Sequence, residues 1–157
     1  MTDLPKYEPR GLYFEEFQLG EVVVSAGRTI TEADIVNFAA LSGDYNPIHT
    51  NAEFAKGTPF GRRIAHGMLV LSVATGLVDQ LGLIEGSVIA FRELAWKFSK
   101  PVFIGDTIHV IVETAKLKPL PRLGGGSVVL KVKVITQKEE VVARGEWNAL
   151  MASKPAA

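Results

Sequence analysis

The longest apolar stretch of the chain lies at residues 65–81, which have the sequence Ala-His-Gly-Met-Leu-Val-Leu-Ser-Val-Ala-Thr-Gly-Leu-Val-Asp-Gln-Leu. Because apolar residues occur nearly all the way round it, this stretch predicts a helix that is buried on most of its faces. A helix of this length is about 25 Å long. Gly67 and Gly76 lower its helix propensity, which indicates a close backbone approach at each of them.

Segments outside this stretch alternate between apolar and polar residues, as strands with one buried face do. Ile108, Val110 and Val112 share one face of such a segment, and Lys131 and Lys133 alternate with apolar residues in another. The predicted strands cover residues 21–30, 87–98, 106–117, 126–137 and 141–151. This order predicts an α+β fold in which an antiparallel sheet wraps around the buried helix.

The composition is that of a globular protein with balanced charge. Of the 157 residues 47% are hydrophobic, and seventeen Lys and Arg balance seventeen Asp and Glu, so we expect no nucleic-acid or membrane partner. The absence of cysteine excludes disulfides, thiolate metal sites and thiol nucleophiles. There is no secretory h-region and no apolar run of about 20 residues, so we expect a soluble, cytoplasmic protein.

We predict one domain over residues 1–157, with a core at about 12–151. Residues 1–11 are polar and contain prolines, which predicts an N-terminal arm, and residues 153–157 are expected to fray. Thr31 and Asp34 form a capping-box pattern, so a helix should begin there and bury Ile35. Residues 51–56 predict another helical turn with Phe54 facing inward.

The polar stretch Ser-Gly-Asp-Tyr-Asn-Pro-Ile-His at residues 42–49 predicts an irregular loop after a helix that stops near Leu41. Asp44 and His49 cannot share a face of a regular helix, because five residues advance about 140° past a full turn. A tight loop brings them together, and a carboxylate facing an imidazole holds a water and moves its protons near neutral pH. Taken alone, the pattern is more typical of a helix-ending turn with a satisfied polar histidine.

Three ordered blocks carry a resemblance to a known family. They are Phe-Ala-Ala-Leu-Ser-Gly-Asp-Tyr-Asn-Pro-Ile-His at residues 38–49, Ile-Ala-His-Gly-Met-Leu at 64–69 and Lys-Pro-Val-Phe-Ile-Gly-Asp at 100–106. The first resembles the hydratase-2 motif of the MaoC-like dehydratases, the (R)-specific enoyl-CoA hydratases, and the similarity runs from about residue 12 to 151. It implies a hot-dog fold, a homodimer or higher homo-oligomer with the active site near the interface, an acyl-CoA substrate, and neither a metal nor another cofactor.

The resemblance also implies a role for individual residues. Asp44 and His49 correspond to the catalytic pair, and Asn46 orients His49. The Gly67 N–H corresponds to the donor that binds the thioester oxygen, near the start of the buried helix where the helix dipole supports an enolate-like oxygen. Ser72 and Thr75 lie on the helix where the family lines the acyl pocket, and Met68, beside Gly67, is a further candidate substrate-binding residue. No motif fixes the nucleotide contacts, but the adjacent cations Arg62 and Arg63 are candidates for binding the CoA phosphates.

Several of these residues have simpler interpretations, which stay open here. His66 is expected to cap or pack against the helix rather than to catalyse, although Asp44, His49 and His66 are formally a metal triad. Arg62 and Arg63 are also consistent with solvated loop charges. We expect solvent around His109, a hairpin loop at the glycines of residues 124–126, and packing roles for Trp96 and Trp147.

The leading hypothesis is an enzyme that interconverts a trans-2-enoyl-CoA and the (3R)-3-hydroxyacyl-CoA, with the R hand implied by the resemblance. A hot-dog acyl-CoA thioesterase is an alternative, because the same fold and thioester grip would serve hydrolysis. A non-catalytic acyl-CoA-binding subunit is another, against which the intact Asp44 and His49 argue. The sequence leaves the acyl chain open.

Overall fold

One antiparallel sheet and one long helix form the frame of the molecule. The computed structural model describes Leu4 and residues 6–155. Its strands are β1 Val22–Val24, β2 Arg28–Thr29, β3 Val88–Phe98, β4 Thr107–Leu120, β5 Gly125–Thr136 and β6 Val141–Ala152. Its helices are α1 Glu32–Ser42, α2 Pro47–Thr50, α3 Ala52–Lys56 and α4 Gly67–Gln80, with 3-10 turns at Phe14–Glu16 and Pro121–Leu123.

The sheet order is β1-β4-β5-β6-β3, with β2 also paired to β4, and every pairing is antiparallel. The inward residues of β4 are the predicted Ile108, Val110 and Val112, each at most 1% exposed, and they join one core cluster with the buried side of α4. The α+β prediction is therefore confirmed. The predicted bounds of β3, β5 and β6 are right to within a residue, and β4 runs on to Leu120.

The predicted strand over residues 21–30 is instead two short strands, β1 and β2. Between them the Ser25 N–H donates to the Val110 carbonyl at 3.0 Å, and the Ser25 hydroxyl accepts the Val110 N–H at 2.9 Å. A serine side chain that takes the place of a ladder partner lets the strand break without leaving a buried N–H unpaired.

Helix α4 begins at Gly67, with His66 as its N-cap residue. Its buried residues face the core, and they are Leu69, Val70, Leu71, Val73, Ala74, Leu77 and Val78. Met68, Ser72 and Thr75 form an exposed face on the other side. The prediction that this helix is buried on most of its faces is therefore right for the side toward the core. It is wrong for the face with Met68, Ser72 and Thr75, which the described part of the chain does not cover.

Phe54 does not face inward as predicted. The Asn51 side chain accepts the Phe54 N–H at 3.0 Å and so caps α3. With the helix starting there, Ala55 becomes the fully buried position and Phe54 stays 53% exposed. In a helix of so few residues the cap fixes which side faces the core, and the apolar pattern is too short to do so.

Described residues near both ends of the chain form hydrogen bonds with the body of the molecule. The Gly11 N–H donates to the Glu85 carbonyl at 2.9 Å, which places the described part of the predicted arm along the segment between α4 and β3. Fraying from Ser153 is wrong for its first residues, because the Ser153 N–H donates to the Gly124 carbonyl and the Lys154 N–H to a Glu15 carboxylate, at 2.9 and 3.0 Å. Residues 1–3, 5, 156 and 157 of the predicted arm and tail lie outside the described residues.

The glycines at 124–126 have two different roles. Gly124 adopts a left-handed φ of 72° in the connection between β4 and β5, as a hairpin loop requires. Gly125 and Gly126 belong to β5, where a Cβ would collide with the Met151 carbonyl and the Phe14 ring, respectively. The hairpin-loop prediction is therefore right for Gly124 alone.

Trp96 and Trp147 pack together with ring centroids 5.8 Å apart, which confirms their packing role. His109 is half-buried on β4 rather than solvated. Within the described residues, none of the helices has the length and apolar character needed to cross a bilayer.

Candidate active site

The end of α1 positions Asp44. Gly43 has a φ of 77°, and its N–H donates to the Ala39 carbonyl, so the helix ends in a left-handed cap close to the predicted stop. The Ser42 hydroxyl accepts the Asp44 N–H at 3.1 Å, and Asp44 Oδ1 accepts the Asn46 N–H at 3.2 Å. These contacts fix the carboxylate through Oδ1 and leave Oδ2 available for another partner.

His49 lies on a helical turn, α2, and not in the irregular loop that the sequence predicts. The Asn46 side chain accepts the Ile48 N–H at 3.2 Å, and the Asn46 backbone carbonyl accepts the His49 N–H at 2.9 Å, so Asn46 caps this turn. Pro47 occupies the first helical position, where its missing N–H is not needed. Asn46 therefore positions His49 through the backbone of α2.

The imidazole of His49 is held in one orientation. Its Nδ1 lies 2.8 Å from the Ile64 carbonyl, and since a carbonyl only accepts, Nδ1 carries the proton. Nε2 of the neutral ring is then an acceptor, and it faces Asp44 Oδ2 at 4.0 Å. A water about 2.8 Å from both atoms would bridge them with an angle of roughly 90° at its oxygen, giving one hydrogen to each.

Gly67 presents an N–H next to this pair. It is the first residue of α4, so its N–H has no partner within the helix. No backbone or side-chain acceptor takes this N–H within Leu4 and residues 6–155. The helix dipole adds partial positive charge at the same end. The Phe98 ring lies 3.1 Å from where a Cβ of Gly67 would be, so a larger residue would press on that ring.

His49 and Gly67 line one cleft of about 380 Å³. Its other walls are mostly apolar and include Phe60, Val70 and Phe98. Lys100 adds a charge that is paired with Glu140 at 2.6 Å. An apolar cleft of this size with a few convergent polar groups is typical of a small-molecule site.

The other candidate residues lie outside this cleft. The Ser72 and Thr75 hydroxyls donate to the Met68 and Leu71 carbonyls of their own helix, at 2.8 and 2.9 Å. Both side chains, with that of Met68, belong to the exposed face of α4.

Arg62 and Arg63 border a second, smaller cleft of about 210 Å³ together with Lys56. The Arg62 guanidinium lies 4.0 Å from the centroid of the Phe103 ring. Arg63 donates to Glu32 at 2.8 Å, and these hydrogen bonds raise the pKa of Arg63 and hold the pKa of Glu32 below its usual value. Arg62 is therefore the cation of the two that has no carboxylate partner among the described residues.

The start of α1 is fixed by the predicted capping box. The Thr31 hydroxyl accepts the Asp34 N–H at 3.3 Å, and the Asp34 carboxylate accepts the Thr31 N–H at 2.8 Å. Burial raises the pKa of Asp34, but the Thr31 hydrogen bonds and the charge of Arg28 outweigh it, so the net shift is downward. The helix that ends at the Asp44 segment is thus capped at its other end by an ionised carboxylate.

The formal metal triad is a compact group. Asp44, His49 and His66 each place a possible ligand atom within 4.8 Å of the others. The two imidazoles are stacked, with centroids 3.9 Å apart and planes inclined by 29°. Lone pairs in such planes run side by side and do not meet at the metal–nitrogen distance of about 2.1 Å. The geometry therefore fits a stacked pair of rings better than a metal centre.

Two parts of the site cannot be predicted from the residues next to them in the sequence. The Ile64 carbonyl that orients His49 is a backbone atom fifteen residues away, and the Phe98 ring over Gly67 arrives from the end of β3. Ile64 opens the second of the three quoted blocks, which is the only sequence feature that points to it.

An antiparallel sheet packed on one long helix is the architecture of the hot-dog fold, and here a carboxylate and an imidazole lie near the start of that helix, beside a mostly apolar cleft. The structure superposes with a TM-score of 0.82 on a Mycobacterium tuberculosis protein described as having a double hot-dog fold; the match covers 96% of this chain and 47% of the other, at 21% identity, and supports the fold alone. The model of the MaoC like domain matches residues 16–138. The chain belongs to the MaoC-like dehydratase family, and so to the lyases that add or remove water.

Named relatives are consistent with this family. A 3-hydroxybutyryl-CoA dehydratase of Methylorubrum extorquens is 39% identical over 71% of this chain and 69% of its own. An (R)-specific enoyl-CoA hydratase of Aeromonas caviae is 37% identical over 73% of this chain and 81% of its own. A solved Archaeoglobus structure, described as a monoamine oxidase regulatory protein, is 44% identical with a TM-score of 0.85 and covers 92% of this chain and 97% of its own.

Proposed function

We propose that the protein catalyses the reversible hydration of a trans-2-enoyl-CoA to the (3R)-3-hydroxyacyl-CoA. The observation that supports this most is the pair of acceptors Asp44 Oδ2 and His49 Nε2, 4.0 Å apart, beside the cleft that Gly67 also lines. Water and the enoyl thioester are the only reactants, so the reaction requires no cofactor. The R hand rests on the relatives named as (R)-specific.

The proposed steps use only this chain's groups and one water. Asp44 and His49 orient the water, whose oxygen forms a bond to C3 while one of its protons passes to the pair. The π electrons of the double bond move toward the thioester oxygen, where the Gly67 N–H stabilises the developing negative charge. The pair then returns the proton to C2. Since Asp44 and His49 act on the same water, oxygen and proton arrive from one side of the double bond, and addition is syn.

Crotonyl-CoA in heavy water tests this reaction. We expect loss of the enoyl thioester, deuterium at C2 on the same side as the new hydroxyl, and the R configuration at C3. An S product or anti placement of the deuterium would contradict the stereochemistry. Release of free CoA as fast as substrate disappears would support the thioesterase alternative, and tight binding without turnover would support the binding-subunit alternative.

The proposed role of the Gly67 N–H has a matched pair of variants. Gly67→Pro removes this N–H at the first helical position, which tolerates proline, and the preceding residue, His66, has a ψ of 135°, which proline accepts. Gly67→Ala keeps the N–H and introduces a similar contact with Phe98. We expect kcat to fall about 10²–10³-fold more in the proline variant than in the alanine variant. Equal rates in the two folded variants would remove the N–H from the mechanism.

We propose Arg62 as a contact for the CoA phosphates, because Arg63 is paired with Glu32. Arg62→Gln should raise KM for a CoA ester and leave KM for the matching N-acetylcysteamine thioester, which lacks phosphates, unchanged. Arg122→Gln, at an exposed turn, is the control for loss of one arginine charge. An equal rise in KM for both thioesters would contradict a phosphate contact.

We also propose a homodimer that pairs through β3. This edge strand is exposed along nearly its whole length and presents Ile89, Phe91 and Phe98, each about half exposed. A long apolar edge is an aggregation hazard unless another strand covers it. A partner there would lie next to Phe98 and the cleft. Met68, Ser72 and Thr75 could contribute to acyl binding only if a second subunit covered their exposed face. Sedimentation as a 17.0 kDa monomer at micromolar concentration would contradict it.

A further inference from the structure

His66 is the one fully buried histidine of the described chain, and it touches both members of the acid–base pair. It is 2% exposed. Its Nε2 lies 2.9 Å from the Asp44 carbonyl, so Nε2 carries the proton and donates. The face of its ring stacks on His49 with centroids 3.9 Å apart. Phe38 packs against His66 as well, with centroids 5.1 Å apart.

We propose that His66 is a positioning residue that sets the gap between Asp44 and His49. It rests on the proposed function, in which that gap holds the reacting water. One edge of the His66 ring holds the backbone of Asp44, and one face holds the plane of the His49 ring. His66 also immediately precedes Gly67, so one dipeptide locates the pair and the thioester N–H relative to each other.

The position of the Asp44 segment depends on the hydrogen bond from His66 Nε2 to the Asp44 carbonyl. The Asp44 side chain is 51% exposed, and its other described hydrogen bonds, to Ser42 and Asn46, join residues of the same short segment. The donor from His66 is the contact that ties the Asp44 carbonyl to another element, α4. Without it the segment would keep its local turns but lose its fixed distance from His49.

A packing role alone does not explain a histidine here. The second ring nitrogen, Nδ1, is buried and has no hydrogen-bond partner among the described residues. An unpaired buried acceptor is unfavourable, and phenylalanine would fill a similar volume without that cost. Phenylalanine lacks the Nε2 donor, which in His66 forms the hydrogen bond to the Asp44 carbonyl.

Three variants separate the donor from the ring. His66→Phe keeps a ring that stacks and loses the donor, His66→Gln keeps an N–H near the position of Nε2 and loses the ring, and His66→Ala loses both. Because a shift of about 1 Å in a reacting group costs about 10²-fold, we expect His66→Phe to lower kcat about 10- to 100-fold with KM nearly unchanged. We expect His66→Gln to recover most of that loss. Phe38→Leu, which alters packing on His66 without touching Asp44, should keep the parent kcat.

Coupling to the pair distinguishes positioning from general loss of structure. On an Asp44→Asn background, His66→Phe should cause little further loss, because the gap it maintains no longer holds a competent pair. Losses that multiply on that background would overturn the inference. So would a folded His66→Phe variant with the parent kcat, or a folded His66→Gln variant as slow as His66→Ala. If His66→Phe does not fold, the comparison of His66→Gln with His66→Ala decides.

A readout without turnover keeps this inference separate from the proposed function. The chain has three histidines, so ¹⁵N-histidine labelling gives a simple spectrum. We expect a hydrogen-bonded, slowly exchanging Nε2–H from His66, and a Nδ1–H tautomer for His49 that broadens or changes in His66→Phe. If these signals are present but the protein hydrates no enoyl-CoA, the proposed function is refuted and the contact between His66 and the Asp44 carbonyl still holds. Their absence in an active parent enzyme would refute the positioning role alone.

Discussion

Asp44→Asn is the most informative single substitution, because the structure fixes where the new amide nitrogen must lie. Oδ1 of Asp44 accepts the Asn46 N–H at 3.2 Å, so the amide oxygen takes that position. The amide NH₂ then occupies the position of Oδ2 and faces His49 Nε2, which lies 4.0 Å away. A donor thus replaces one of the two acceptors that hold the water in the proposed reaction, and that water would lose its orientation toward the cleft.

The expected loss follows from this exchange of acceptor for donor. An acid–base group contributes about 10²–10⁴-fold to the rate, which corresponds to about 3–5 kcal/mol in the activation free energy. We expect kcat for crotonyl-CoA hydration to fall by that factor. KM should change little, since the cleft walls and the Gly67 N–H are untouched. The free energy of unfolding should change by less than about 1 kcal/mol, because both backbone contacts of Asp44 survive.

Asp79→Asn is the matched control, because it makes the same chemical change at an exposed position in the last turn of α4. It should keep the parent kcat. Combining Asp44→Asn with His49→Ala should cost little more than either alone, since the two groups act on one water. A folded Asp44→Asn variant that hydrates crotonyl-CoA at close to the parent rate would refute the acceptor-pair argument.

Three further outcomes are expected. The pKa of Asp34 is held below its usual value in the folded state, so its stabilising contribution is present above about pH 4 and is lost as the pH falls through the folded pKa. Asp34→Asn should therefore flatten the acid side of the unfolding free energy measured against pH. Ile108→Ala, at a residue with 0% exposure, should lower the free energy of unfolding by about 2–5 kcal/mol in urea titration, whereas Val24→Ala, at 56% exposure, should change it by less than about 0.5 kcal/mol. Exhaustive chelation should leave hydration unchanged, and activity lost to chelation and restored by a divalent ion would reopen the Asp44, His49 and His66 triad.

Much of the fold is predictable because its periodic signals are long. Strands β4 and β5 carry an alternating pattern over much of their length. The capping box at Thr31 and Asp34 is a local hydrogen-bond motif that sequence alone specifies. Short elements are different. The break at Ser25 depends on its two hydrogen bonds with Val110, and the orientation of Phe54 depends on the Asn51 side chain that accepts the Phe54 N–H. No periodicity encodes these contacts.

In the candidate site, the identity of the residues is predictable from the sequence and their geometry is not. The residues of the Asp44–His49 stretch are apparent from their types and from the blocks around them. Their geometry is not, because it depends on contacts with distant residues: the Ile64 carbonyl selects the tautomer of His49, and His66 holds the Asp44 carbonyl. A buried histidine that donates to a backbone carbonyl has the same sequence signature as one that merely packs.

The sheet order carries a consequence for biosynthesis. Strand β3 pairs only with β6 within the described sheet, and their register joins Phe98 to Ala143 and Val88 to Met151. The ribosome makes β3 before β6, so β3 has no partner strand within the described sheet until β6 has been made. Phe98, at the end of β3, can reach its place over Gly67 only after β6 has emerged. The cleft is therefore assembled only after β6 has been made, because Val142 and Ala143 line it, and a nascent chain that stalls before residue 141 has the Asp44 segment but no closed wall beside it.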